Sequence, residues 1–551
     1  MKTCRTVVCN RSDVPNFTQR MDCTSQRITY RNTAAFSNIV LDYLDNAVAL
    51  HPFYVHRPNL EGVKQAITQR SAFNTNRKVL VDHLKQQYSS VSQSVAVNRN
   101  IDLLLNEHTF TITTAHQPNL FTGPLYFIYK ILHAVKLADS LKQELTQYNF
   151  VPVYYMGSED ADFEELSYAT VNGVKYQWAT KQNGAFGRMV VDKHITQLIH
   201  AISGQLLVEP HGKEIVDALL ASYKEKITIQ DATFAFVHFL FERFGLIVIN
   251  ADAKELKEQM IPVFEDELLN RSSAKKVADT ITKLDEHYKV QAGGREINLF
   301  YFDEDLRERI EADGDGFAVA NTTIKFTKDE ILKELKEHPE RFSPNVILRG
   351  LYQDTILPNI AFIGGGGELA YWLELKNVFA HHNVPFPVLV LRNSFLVTQK
   401  AWIEKIEKLG FTVEDFFKSS EALLNQYVHR TTVNKIQLNG SLTKAEELYG
   451  LLKEQAASVD PTLLQHVEAL KAKAVYRLQE LEKKIIRAEK RKYSDQQRQI
   501  QTIKQQLFPG NGLQERKESI LALYAKQGKG IIDLLYQHSL SLEQEFAVLS
   551  F

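Results

Sequence analysis

The rhythm of apolar and polar positions changes several times along the chain. Over residues 33–106, apolar residues recur at i, i+3 and i+4, as in AFSNIVLDYL, so the stretch reads as helical. Residues 109–114 (TFTITT) then form a β-branched strand; the polar loop AHQPNLFTG follows, and Pro124 opens an amphipathic helix running to about Glu144. Two further apolar strands are expected at 150–155 (FVPVYY), which ends in the polar burst GSEDADFEEL, and at 246–250 (LIVIN). The alternation resumes near residue 345 with NIAFI at 359–363, the glycine run GGGGE, a helix AYWLELKNVFA and the strand FPVLVL at 386–391. Such alternation predicts an α/β fold with a parallel sheet. Between its two parts, helices mix with short strands such as 297–302, which reads as an inserted subdomain.

The last third is different. Residues 445–507 are rich in Lys, Glu, Gln, Leu and Ala, and read as one long helix. Leu464, Val467, Lys471, Ala474, Leu478, Leu481, Ile485 and Ala488 alternate spacings of three and four, the seam of a coiled coil interrupted once by Lys471. Periodicity allows two partners for that seam: a second chain, or another helix of the same chain such as 520–523. Pro509, Gly510 and Gly512 end the helix, and the tail beyond is expected to fold back on the core. The expected organisation is a helical region 1–106, the sheet core in two parts (107–253 and 345–440), an inserted α/β subdomain 254–344, a coiled coil 441–508 and a returning tail 509–551.

Composition narrows the function classes. With 44% hydrophobic and 24% charged residues the chain can bury a core, which excludes wholesale disorder. Lys plus Arg number 65 against 66 Asp plus Glu, so no global field favours nucleic acid or anionic lipid. The longest nearly apolar stretch, TFAFVHFLFERF at 233–244, is short of a membrane span. Cys4, Cys9 and Cys23 lack metal spacing, and no secretory segment is present, so neither disulfides nor zinc are expected and the cytoplasm is the expected compartment.

Ligands of open α/β sheets bind beyond the carboxyl ends of the strands. Three loops qualify. The first carries His116, Gln117, Asn119, Thr122 and Gly123, with Lys130 two turns into the following helix; it could hold phosphate or carboxylate, or be an ordinary capped turn. The second concentrates Glu159, Asp160, Asp162, Glu164 and Glu165, where mutual repulsion should perturb some pKa values; Glu164 and Glu165 also suit a helix N-terminus, leaving Glu159 and Asp160 as the better functional candidates. The third is Gly364–Glu368, neither GxGxxG nor a P-loop; Arg349, Gln353 and Asp354 lie upstream, and Arg392 follows the last strand. Two arginines near strand ends could grip a dicarboxylate. His381 and His382 have no carboxylate at metal-ligand spacing, and dipole stabilisation at a helix end is their expected role.

The blocks TAHQPNLFTGPLYFIYKI, VPVYYMGSEDADFEEL and ILRGLYQDTILPNIAFIGGGGELAYWLELKNVF together resemble the bacillithiol biosynthesis cysteine-adding enzymes, and the likeness extends over essentially the whole chain. The resemblance implies a ligase that joins L-cysteine through its carboxyl group to the amine of glucosaminyl malate. It also implies a Rossmann-like core with helical insertions and a coiled coil that pairs two chains. Gln117, Thr122, Gly123, Glu159, Asp160, Asp162, Gly367, Glu368, Tyr371 and Trp372 fall on matching positions, whereas His116 and the middle glycines depart from the family pattern. An unaided carboxylate does not condense with an amine in water, so a nucleoside triphosphate, ATP with Mg²⁺, is the expected activator. Gln117, Thr122 and the helix after Gly123 would hold phosphate, Lys130 would neutralise charge, Glu159 or Asp160 would take the amine proton, and Arg349 or Arg392 would hold the malyl carboxylates. The competing class is a nucleotide- or sugar-binding scaffold acting through its coiled coil without catalysis.

Overall fold

The computed structural model describes residues 23–289, 293–303, 306–433 and 437–551; Cys4 and Cys9 lie outside them. Two compact units are present. The first comprises residues 1–396 with 514–549 and 551, and the second 397–513 with 550.

At the centre of the first unit are five parallel strands: β1 (Thr109–His116), β2 (Asn149–Met156), β3 (Ile247–Asn250), β4 (Asn359–Gly364) and β5 (Val388–Leu391). Their order is β5-β4-β1-β2-β3. Strand order therefore reverses between β1 and β4, the doubly wound arrangement whose crevice lies between those two strand ends. Near-continuous burial along β1, β2, β4 and β5 explains why each reads as an apolar or β-branched run and not as an alternating one. Helix α1 (Tyr126–Glu144) returns from β1 and buries Ala134, Leu137, Ala138 and Leu141 against Ile112, Ile360 and Val388.

The expected helical preface is four helices, Asn38–Leu44, Leu60–Ser71, Arg77–Tyr88 and Val95–Leu103, preceded by a strand, Thr24–Thr29, that the periodicity had not indicated. Between β3 and β4 lies an antiparallel five-stranded sheet that includes Leu299–Asp303 and Leu306–Asp313. Beyond it, α2 (Val346–Ile356) leads into β4, and α3 (Gly366–Trp372) leaves it. The segment 514–549 packs on this unit: His133 Nε2 meets the Ser541 carbonyl at 2.6 Å, and the Asn393 amide donates to Leu540 O at 3.0 Å.

The second unit is helical. The single long helix expected over 445–507 is instead α4 (Asn439–Val459), α5 (Leu464–Lys490) and a further helix, Ser494–Leu507. Asp460 and Pro461 break it, because Pro461 removes a backbone donor and the Asp460 carboxylate caps Thr462 N at 2.8 Å. α4 and α5 pair as an antiparallel hairpin: Lys453 meets Glu468 at 2.6 Å, and Leu438 N donates to Glu482 at 2.9 Å. The seam's partner within the chain is thus α4, whereas Ile520–Gln527 belongs to the first unit.

Candidate active site

A cleft of about 590 Å³ opens at the carboxyl ends of β1, β2 and β4, where strand order reverses. One wall begins with His116 and Gln117. The turn after them holds Phe121, Thr122 and Gly123 all at positive φ (53°, 69° and 58°), a conformation costing about 1–3 kcal/mol per non-glycine residue. Phe121 N donates to the buried Tyr223 hydroxyl at 3.1 Å and helps hold the turn, and position 123 has to be glycine, since a Cβ there would lie 2.7 Å from Asn119 Cβ. Asn119, Thr122 and Gly123 are therefore parts of a buried, strained turn behind the cleft wall.

His116 stacks on Tyr126 and its Nε2 lies 3.2 Å from that hydroxyl. Burial, with the Lys130 charge, pushes its pKa well below the usual imidazole range and keeps it neutral. Lys130, buried, donates to Ala115 O at 2.6 Å and pairs with Glu368. Burial lowers the lysine pKa, and Glu368 works against that. Glu368 in turn accepts from Gly365 N at 2.8 Å, so this ion pair ties α1 to the first turn of α3 across the switch point.

The carboxyl end of β2 carries the acids. Gln117 donates to Asp160 Oδ2 at 2.8 Å, and Ala161 N donates to Oδ1 at 2.7 Å, so both oxygens of Asp160 are engaged. Glu159 Oε1 accepts from the buried Lys257 at 2.5 Å. Burial raises the Glu159 pKa despite that lysine, and Asp252 adds to the rise. Lys257 also contacts Asp252 at 3.0 Å, and Arg188 grips Asp252 with two bonds of 2.6 and 2.7 Å. Burial alone would raise Asp252, but Lys257 and Arg188 outweigh it and hold its pKa at about 2.

Arginines form the remaining wall. Arg349 donates to the Tyr371 hydroxyl, whose own pKa burial lifts to about 12. Arg307 lies over Phe300 at 3.7 Å, and its buried Nε has no hydrogen-bond partner among the described residues. Arg295, Arg309 and Arg516 also line the cleft. Arg392 reaches it too, but its charge is matched internally: it meets the buried Glu515 at 2.8 Å and donates to Asn393 O and Ser394 Oγ at 3.0 Å each. Gly365, Gly366 and Gly367 complete the lining, and nothing lies within 4 Å of where a Gly367 Cβ would be.

The structure therefore brings His116, Gln117, Lys130, Glu159, Asp160, Arg349, Gly367, Glu368, Tyr371 and Arg392 to one cleft. Asp162 instead caps the short helix Phe163–Leu166 through Glu165 N. Gln353 is buried and donates to Asp354, which pairs with Arg70 at 3.2 Å. Trp372 stacks on Phe362 in the core at 4.4 Å. Sequence reasoning missed Asp252, Lys257 and the inserted sheet's arginines. Asp252 was accessible to the strand-end rule, since it lies two residues beyond LIVIN; Arg307 and Arg309 reach the cleft by a tertiary approach that no local pattern encodes.

Residues 21–393 match the N-terminal Rossmann-like domain of bacillithiol biosynthesis BshC, and residues 395–551 match the C-terminal coiled-coil domain of the same family. The chain belongs to the BshC family. A protein of Flavobacterium johnsoniae named "Putative cysteine ligase BshC" is 40% identical over 525 residues, covering 95% of this chain and 99% of that one. Proteins of the same name from Flavobacterium psychrophilum (39%; 95% and 98% covered) and Salinibacter ruber (29%; 92% and 94% covered) are also similar. This BshC-family chain thus has a Rossmann-like domain and a coiled-coil domain, with the cleft entirely within its first unit. Among the described residues no helix is long and apolar enough to cross a membrane.

Proposed function

We propose that the cleft forms an amide bond between the carboxyl group of L-cysteine and the amine of glucosaminyl malate, closing bacillithiol biosynthesis with consumption of a nucleoside triphosphate. Family membership over both domains supports the reaction class. The observation that carries the site assignment is the meeting in one cleft of a buried carboxylate of raised pKa, Glu159, with Arg307, whose buried Nε has no hydrogen-bond partner among the described residues. A buried base of raised pKa and an anion grip are what amide ligation of a dicarboxylate substrate requires.

The nucleotide would supply a leaving group, phosphate or AMP, on the cysteine carboxyl. The residues present fit its polyphosphate: Arg295, Arg309 and the Gly366–Gly367 backbone offer donors, and Mg²⁺ ordinarily rides on phosphates with one or two carboxylates, for which Glu165 is at hand. Glu159 takes the ammonium proton as the nitrogen attacks the activated carbonyl; the C–N bond forms as phosphate or AMP departs. Gln117 holds Asp160, and Lys130 with Glu368 fixes α1 against α3, so these act on alignment and local charge. Arg307 and Arg349 are the preferred hosts of the malyl carboxylates, because Glu515 already neutralises Arg392. We further infer that two chains pair through α4 and α5.

The test is direct: purified protein with cysteine, glucosaminyl malate, ATP and Mg²⁺ should release one thiol product and one equivalent of ADP or AMP. No product with any nucleoside triphosphate, from folded protein, would favour a binding scaffold instead.

A further inference from the structure

We propose that Asp266, His381 and His382 form a site for one divalent first-row transition-metal ion, with zinc the best match. The three residues lie outside the cleft, and the site does not depend on the ligase reading. Asp266 comes from the helix Ile261–Asn270; His381 ends the helix Lys376–His381, and His382 is its C-cap. From the sequence the histidines lacked a carboxylate. The fold brings one from 115 positions away: His381 Nε2 lies 3.1 Å from Asp266 Oδ2, and His382 Nε2 lies 3.8 Å from the same oxygen.

All three donor atoms fall within 4.8 Å of one another. Zinc bonds of about 2.0–2.2 Å in a tetrahedron separate donors by roughly 3.3–3.5 Å, so small rotamer shifts would close the set. Two imidazoles and a carboxylate also suit zinc far better than magnesium or calcium, which prefer oxygen alone. A simple Asp–His ion pair would use one histidine. Here a second converges on the same oxygen with the rings 4.8 Å apart, an arrangement that two imidazolium charges would oppose and one cation would favour.

The surroundings orient the ligands. Asn270 donates to Asp266 Oδ1 at 2.7 Å, which leaves Oδ2 for the histidines. Asn377 donates to Thr280 Oγ1 at 3.0 Å and anchors the histidine-bearing helix to the helix Ser272–Leu284. His381 borders an open depression also lined by Lys276, Asp279, Lys283 and Asn377, which leaves a fourth coordination position to water or a small anion held near the lysines.

The full-length chain, stripped by chelator, would be titrated at neutral pH with Zn²⁺ in a calorimeter and with Co²⁺ as a spectroscopic substitute. The expected result is one ion per chain, visible d–d absorption from Co²⁺, and a Tm that rises with Zn²⁺. Asp266→Ala and His382→Ala should each weaken binding by about tenfold or more, and His381→Ala/His382→Ala should abolish the absorption. Because His381 is partly exposed, His381→Gln alone is a variant that keeps the fold and should still weaken binding. Absence of stoichiometric uptake by wild type, or uptake unchanged in His381→Gln and the double variant, would overturn the site.

Discussion

The cleft and the helical hairpin solve opposite problems. In the first unit polar groups are buried and answered from within the chain: Lys257 by Glu159 and Asp252, Arg392 by Glu515, Lys130 by Glu368. In the hairpin no residue of α4 is buried, and Leu448, Leu451, Leu452, Val459, Leu470 and Leu481 are 40–78% exposed. Buried polar clusters of this kind cost stability unless every member is satisfied, so they persist where chemistry needs them. Exposed apolar stripes cost stability in water unless something covers them. The first unit thus answers these buried charges within the chain, whereas the hairpin leaves an apolar stripe exposed.

The largest effect should come from breaking the buried acid. Glu159→Gln keeps an acceptor for Lys257 but cannot take a proton, so kcat should fall by about 10²–10⁴ with the circular dichroism spectrum unchanged. Lys257→Met sharpens the point. Burial already raises the Glu159 pKa and Lys257 opposes the rise, so removing the lysine should move the acidic limb of the pH–rate profile to higher pH. An unmoved limb would assign the base elsewhere, with Asp160 next in line.

The arginines come next, and they should divide. Arg307→Ala and Arg349→Ala should each raise KM for the dicarboxylate substrate by roughly tenfold to a hundredfold, since a charge-assisted contact is worth about 1.5–3 kcal/mol. Arg392→Ala should instead show first in denaturation, losing about 3–5 kcal/mol because Glu515 is left buried without its partner. Equal KM effects from all three would mean that Glu515 does not hold Arg392 back from substrate.

The same contrast separates what was legible in the sequence from what was not. The parallel strands were readable because burial on both faces leaves near-continuous apolar runs, and their polar ends pointed to His116, Gln117, Glu159 and Glu368. Trp372 and Gln353, adjacent to those ends in sequence, face the core instead, and spacing alone does not reveal which side of a short helix meets a cleft. Glu515 lies more than a hundred residues from Arg392, and the arginines of Leu306–Asp313 reach the cleft through a separate sheet. Such pairings are properties of the assembled fold. In the hairpin the heptad seam was visible, but Pro461 redirected it onto α4.

A smaller effect concerns Asp252. Its folded pKa is depressed to about 2 from the ordinary carboxylate value of 3.8, so it contributes stability above the unfolded value that is lost as pH falls through the folded one. Asp252→Asn should therefore cost about 2 kcal/mol at neutral pH, and the gap to wild type should close between about pH 4 and pH 2. Urea titrations across that range would show it; a gap independent of pH would assign the loss to packing.

The smallest effect on activity should come from the hairpin, although its effect on assembly should be complete. Leu448, Leu452 and Val459 recur at spacings of four and seven, one stripe of α4, and Leu463, Leu470 and Leu481 are exposed on and beside α5. Burying a leucine is worth about 1.5–3 kcal/mol, so six such side chains from each of two chains offer ample driving force for association even after its entropic cost. Replacing Leu448, Leu452 and Leu481 with glutamate should yield monomers in light scattering at micromolar concentration. Every residue lining the cleft belongs to the first unit, so those monomers should keep kcat within about twofold of wild type. A wild-type monomer would show that the stripe is covered by something other than a second copy, and a dimer whose dissociation abolished turnover would show that the cleft is not complete within one chain.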